Sequence, residues 1–178
     1  YDLRGVLPFV SPRIREVLKK IENFDNVCEI RIGKNMPLSL SLVRGAVFVS
    51  ENGKFLNSPC GAFIADGRDI EKTLELMTNG SVYAVADEIK NGFITLDGGY
   101  RVGICGSAVL NGGKVSYIKD ISFLNIRIKR EVFGCADKLA EYITDGGGIK
   151  STLIIGGPHS GKTTVIRDLA RILSDRFL

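Results

Sequence analysis

Gly156-Gly157-Pro158-His159-Ser160-Gly161-Lys162-Thr163 matches the phosphate-loop pattern G-x-x-x-x-G-K-[ST] at every fixed position. The flanks suit the motif. Leu153-Ile154-Ile155 is a short apolar run of the kind that forms a buried parallel strand. Glycines follow where the backbone must turn sharply and approach a phosphate. From Thr163 to Leu173, the residues Val165, Ile166, Leu169, Ile172 and Leu173 recur at helical spacing, with Arg167, Asp168 and Arg171 between them. Strand, loop and helix in that order separate a nucleotide loop from a chance glycine-rich turn.

The chemistry follows from the geometry such a loop imposes. Backbone N–H groups at the start of a helix form an anion-binding nest. The candidate ATP-binding residues are Gly156, Gly157, Pro158, His159, Ser160, Gly161, Lys162, Thr163 and Thr164. Lys162 places an ammonium on the β and γ phosphates, and the Thr163 hydroxyl is the candidate Mg²⁺ ligand. His159, the single histidine, is read as a loop position whose backbone matters more than its ring. Fifteen residues follow Thr163. The acidic residues that bind metal and position water in such domains are therefore expected beyond Leu178, and the 178-residue chain is expected to hold nucleotide without turning it over.

Composition narrows the class. Apolar residues at 44% and charged residues at 25% are ordinary for a globular protein. No apolar run approaches the roughly 20 residues that span a bilayer. Cys28, Cys60, Cys105 and Cys135 are scattered without a C-x-x-C, which predicts free thiols in a reducing compartment and no zinc site. The net charge is +4, and its distribution is uneven. Residues 1–113 carry 13 basic and 13 acidic side chains, whereas residues 114–178 carry 11 and 7. The surplus lies toward the phosphate loop, so an anionic nucleotide accounts for it. Nucleic acid is not expected as a partner, because its surface calls for a basic stripe with aromatics between the charges.

The remaining sequence reads as mixed α+β. Ser11-Pro12 is an N-cap with Pro at the first helical position, and Ile14, Val17, Leu18 and Ile21 mark the helix that follows. Strands are predicted at 27–32, 38–42 and 46–49, with a turn at Glu51-Asn52-Gly53-Lys54. Helices are predicted from Arg68 to Thr78, stopped by Asn79-Gly80, and from Val82 to Lys90. A β-rich block comes next: a hairpin over 93–110 turning at Gly98-Gly99, then strands at 114–118 and 121–129. A short helix spans 135–144. The glycines after Asp145 are the one linker signal. The chain is thus divided into an α+β N-terminal domain, 1–145, of helices and antiparallel hairpins. Residues 146–178 then form the truncated start of an α/β P-loop NTPase domain: its first strand, P-loop and helix.

Three further stretches carry a family resemblance. They are Glu29-Ile30-Arg31-Ile32, the block from Asn91 through Gly106 (NGFITLDGGYRVGICG), and Ser122-Phe123-Leu124-Asn125-Ile126-Arg127-Ile128. In this order before a P-loop, they resemble the stage III sporulation protein AA family of endospore-forming bacteria, which is itself similar to the ATPases of type II and type IV secretion systems. The resemblance implies a ring-forming ATPase that uses ATP and Mg²⁺. It also implies a cytoplasmic location at the inner face of a membrane channel complex between mother cell and forespore, with other channel proteins as partners. By the same resemblance Arg127 and Arg101, from N-domain strands, join Lys162 as catalytic cations at the phosphates. Glu29 and Arg31 are read as a structural cross-strand ion pair. The competing reading is a non-catalytic module in which residues 1–145 dock a protein or nucleic acid.

Overall fold

The computed structural model describes residues 5–24, 26–128, 133–145, 148–158 and 160–177. They form two compact units, Tyr1–Lys129 and Arg130–Leu178. Among the described residues the architecture is α+β, with a mostly antiparallel sheet and five α-helices.

In the first unit α1 (Pro12–Lys19) begins as its sequence predicts. Ser11 Oγ accepts the Ile14 N–H at 3.3 Å, and Pro12 needs no partner for an N–H it lacks. Strands β1 (Val27–Gly33), β2 (Met36–Pro37), β3 (Ser39–Leu42), β4 (Gly45–Val49), β5 (Phe55–Leu56) and β6 (Ile64–Ala65) lead to α2 (Gly67–Met77). Asp66 and Asp69 cap α2 reciprocally. Asp66 Oδ1 accepts the Asp69 N–H at 3.0 Å, and Asp69 Oδ2 accepts the Asp66 N–H at 3.1 Å. The helix ends at Asn79 and Gly80, both in the left-handed region, with the Gly80 N–H on Glu75 O.

The predicted helix over 82–90 is a single turn of 3₁₀ helix at Val82–Val85 followed by α3 (Ala86–Lys90). Val82, Tyr83 and Val85 are poor helix formers, and Tyr83, 94% exposed, brings no burial to offset that.

Strands β7 (Phe93–Thr95), β8 (Arg101–Asn111) and β9 (Lys114–Arg127) complete the unit. Gly98 and Gly99 turn the β7–β8 hairpin with φ of 79° and 73°, and Gly112 and Gly113 turn β8 into β9 with φ of 57° and 78°. The two strands predicted over 114–129 are one. Between them Asp120 takes φ 49°, and the register with β8 shifts between Cys105 and Ser107, so the ladder bulges and continues. Gly106 lies at that bulge. A Cβ there would stand 2.6 Å from Lys119 O and 3.1 Å from Ile121 Cα, backbone atoms that cannot swing aside.

The seven-stranded sheet runs β5-β4-β3-β1-β9-β8-β7. One face is apolar. Ile30, Ile32, Leu40, Val102, Ile104, Leu124 and Ile126 are at most 4% exposed and share a core with Ile14, Leu18, Ile70, Met77 and Ile89 of the helices. The other face is polar and half-exposed, as the period-2 alternation of β1 and β9 requires. It carries Glu29, Arg31, Asn125 and Arg127.

The second unit holds α4 (Asp137–Ile143), the small ladder β10 (Thr144–Asp145) with β11 (Gly148–Ile149), and α5 (Lys162–Phe177). Ala136, Ala140 and Ile143 pack against Leu169 and Ile172, with Ile154, Val165 and Leu173 at the margin. This packing places the helix before the glycines in the same compact unit as the helix after the loop. Two details differ from the sequence reading. Ile166 is half exposed, although it falls on the periodic stripe. Leu153-Ile154-Ile155 is not a strand, and Leu153 and Ile155 are each 83% exposed. No described strand lies beside this run, and an apolar run acquires strand geometry only from a ladder partner.

Candidate nucleotide-binding site

The loop is shaped by its glycines and by one lysine. Gly161 sits at φ 84°, in the region glycine enters without strain, and the Val165 N–H bonds Gly161 O at 3.0 Å to close the first turn of α5. The Ser160 N–H reaches Gly157 O at 3.4 Å, drawing the loop into a tight turn. Lys162 Nζ lies inside that turn, donating to Gly156 O at 2.8 Å and Gly157 O at 2.6 Å, with Ser160 Oγ at 3.5 Å. A Cβ on Gly156 would stand 2.7 Å from Ser160 Oγ, so the cradle is only as wide as a glycine leaves it. His159 lies outside the described residues.

This arrangement fits a bound phosphate. The first N–H groups of an α-helix have no intrahelical acceptor, and the dipole favours an anion at that end. At α5 those groups belong to Lys162, Thr163 and Thr164, beside the Lys162 ammonium. The exposed Thr163 hydroxyl is a single protein ligand, in keeping with a Mg²⁺ that takes its other oxygens from phosphate and water.

One turn further along α5, Asp168 anchors the helix. Its carboxylate accepts the Ala136 N–H at 3.0 Å and pairs with Arg171 at 2.9 Å, although the residue is only 4% exposed. Burial pushes this carboxyl up, but the Ala136 N–H, Arg171 and Cys135 outweigh it and hold it below the ordinary carboxylate range. Partial desolvation, together with the hydrogen bond to and charge of Asp168, pushes the exposed Cys135 thiol up, so it is not an activated nucleophile. A depressed carboxyl contributes stability that is present above its unfolded pKa, near 3.9, and is lost as pH falls through its folded value. Below about pH 4, therefore, α4 and α5 should lose amide protection relative to pH 7. Asp168→Asn should remove most of that pH dependence. Equal acid sensitivity in wild type and variant, read by hydrogen exchange, would exclude this role for Asp168.

Arg101 and Arg127 stand on the polar face of the first unit's sheet. Arg127 is directly opposite Glu29 across β1 and β9, with Nη2 3.8 Å from Glu29 Oε1. Glu29 also accepts from Arg31 Nη2 at 2.9 Å. The expected Glu29–Arg31 cross-strand pair is thus a pair along one strand, since residues two apart share a face, and the cross-strand partner is Arg127. Arg101 stacks over the Phe93 ring at 5.1 Å. Continuing the register that pairs Val102 with Ile126, Arg101 lies opposite Arg127. Sequence spacing could not show that Glu29 faces Arg127, because β1 and β9 are far apart in the chain.

Among the described residues no helix is long and apolar enough to cross a membrane. A family model described as "Sporulation stage III, protein AA" matches residues 4–177. The chain is 36% identical over 146 residues to "Stage III sporulation protein AA" of Bacillus subtilis (strain 168), covering 82% of this chain and 43% of that protein. It is 46% identical over 52 residues to "Protein SEEDLING PLASTID DEVELOPMENT 1" of Arabidopsis thaliana, 29% of this chain and 7% of the relative. It is also 39% identical over 54 residues to "Uncharacterized protein ycf45" of Porphyra purpurea, 30% and 9%. The chain therefore spans less than half the length of the curated relatives it matches. No solved structure matches it significantly.

Proposed function

Because the chain belongs to the sporulation stage III protein AA family, whose role is in endospore formation, we propose that it is the nucleotide-holding part of a P-loop ATPase of the secretion-ATPase type. The observation that carries this reading is Lys162 Nζ held within the glycine loop at the head of α5. A phosphate brought to that point meets an ammonium and the free N–H groups of Lys162, Thr163 and Thr164 together. ATP is the substrate, and Thr163 would hold the Mg²⁺ that accompanies it. Held there, Mg²⁺ would supply charge neutralisation at the phosphates.

Arg127 and Arg101 supply further charge at the γ-phosphate, within one chain or from a neighbouring copy in a ring. The whole protein hydrolyses ATP, works from the cytoplasm, and acts with other sporulation channel proteins at a membrane. Hydrogen exchange with and without Mg²⁺-ATP tests the loop directly. Protection should rise at Gly156–Gly157 and at Ser160–Thr164. Protection that changes nowhere in the loop at saturating ATP would refute the reading.

A further inference from the structure

The polar face of the seven-stranded sheet gathers residues that are dispersed along the sequence. One row across it reads Phe48, Ser39, Arg31, Asn125, Gly103 and Phe93, by the register of β4, β3, β1, β9, β8 and β7. The neighbouring row sets Glu29 beside Arg127, with Arg101 next in line. Arg31 and Arg127 thus share the Glu29 carboxylate, and Arg101 follows Arg127 along the same row. Arg101 and Arg127 lie directly opposite each other, a like-charge placement that costs stability unless an anion separates the pair. Gly103 leaves a gap one side chain wide between Phe93 and Asn125, and a glycine inside a strand marks a place where a ligand can approach closely. Asn125 Oδ1 is buried and is the one such side-chain atom among the described residues that no donor reaches.

We propose that this face binds single-stranded nucleic acid. The half-buried rings of Phe48 and Phe93 are platforms for bases, and Arg31, Arg101 and Arg127 are contacts for successive phosphates. Five strand spacings separate Phe48 from Phe93, about 24 Å, a span longer than one nucleotide. This reading goes beyond ATP binding at the loop and requires neither ATP nor Mg²⁺. A free nucleotide would use only part of the row. An anionic membrane surface would use the charge and leave the aromatic rings and the Gly103 gap without a role.

The test is fluorescence anisotropy of a labelled oligouridine of about twelve nucleotides, titrated with the 178-residue chain without ATP at several salt concentrations. Three phosphate contacts predict a slope of log K against log salt of roughly −2, and Arg101→Ala should bring it to about −1.4. Phe93→Ala should weaken binding about tenfold with the slope unchanged, since base stacking is not salt-linked. Glu29→Gln, which releases Arg31 and Arg127 from their carboxylate, should tighten it. Lys72→Ala on α2, distant in the fold from this face, should do nothing. Circular dichroism melts establish that each variant is folded. Three outcomes would each overturn the proposal: no saturable binding at about 50 mM salt; inorganic polyphosphate of equal charge binding as tightly with Phe93→Ala silent; or capture by anionic phospholipid vesicles without oligouridine binding.

Discussion

Arg127→Ala in the whole protein should lower kcat for ATP hydrolysis by about 10³-fold or more while leaving ATP affinity within about tenfold, the equivalent of roughly 1.4 kcal/mol. A cation at the γ-phosphate matters chiefly as charge shifts in the transition state, so its loss appears in kcat. The ion pair with Glu29 does not prevent that role. Arg127 is 69% exposed at its side chain and 3.8 Å from Glu29, and a surface pair of this kind is worth about 0–1 kcal/mol. A phosphate dianion competes easily against so weak a hold. Arg101→Ala is the alternative assignment, with its guanidinium resting on Phe93. Steady-state hydrolysis and equilibrium nucleotide binding, measured on both variants, separate the two. Near-wild-type kcat in Arg127→Ala removes that residue from the mechanism, and the same outcome in both removes the secretion-ATPase mechanism.

The second large effect concerns the fold. Asp69, with its side chain 3% exposed, joins two helix starts. It accepts Ser11 Oγ at 2.7 Å and Arg13 Nη1 at 2.7 Å, and it closes the capping box on the Asp66 N–H. Ser11 in turn donates its own N–H to Thr73 Oγ1 at 3.0 Å, so α1 and α2 share one buried network. Asp69→Ala leaves the Ser11 hydroxyl and the Asp66 N–H without their acceptor. A lost cap at about 1 kcal/mol and an unsatisfied buried donor at about 1–3 kcal/mol give a destabilisation of about 3 kcal/mol. At roughly 2–4 °C per kcal/mol for a chain of this size, Tm should fall by about 6–12 °C. Asp69→Asn keeps one acceptor oxygen and should lose about half as much. A Tm within about 2 °C of wild type for Asp69→Ala would show that the network contributes little.

The two units were legible to different degrees, for physical reasons. Caps and turns are local, so Ser11-Pro12, Asn79-Gly80, Gly98-Gly99 and Gly112-Gly113 could be placed from residue type alone. The α+β class followed from them. Strand partnership is not local. The Glu29–Arg31 pair is legible and present, but nothing in its spacing shows that it runs along one strand or that β1 lies between β3 and β9, so the added Glu29–Arg127 contact has no local signal. The break expected between 118 and 121 is a bulge at the left-handed Asp120, because Gly106 across the ladder yields the space. The rows of arginine and phenylalanine on the polar face went unseen for the same reason: each strand contributes one or two members, and only the sheet assembles them.

The phosphate loop shows the converse. Its motif is contiguous, and the structure brings Lys162, Gly156, Gly157 and Ser160 together at the start of α5. Composition alone predicts a strand in the apolar run before it, yet a strand requires neighbours, and none of the described segments pairs with Leu153–Ile155. The apolar period marks α5, but in that pattern Asp168 is only one of the polar residues between apolar positions. Its contact with the Ala136 N–H, at the N-cap of α4 and 32 residues earlier, has no sequence signature.

Titration calorimetry of the chain with ATP and Mg²⁺, beside its Lys162→Ala variant, tests the central claim most directly. The account predicts saturable one-site binding to the wild-type chain. In the variant it predicts affinity lower by about 10- to 100-fold, because a hydrogen bond from a charged donor is worth about 1.5–3 kcal/mol. Thermal unfolding of the two should coincide, since Lys162 donates to exposed loop atoms outside the core. Equal affinity in both folded proteins, or no heat of binding in either, would contradict it.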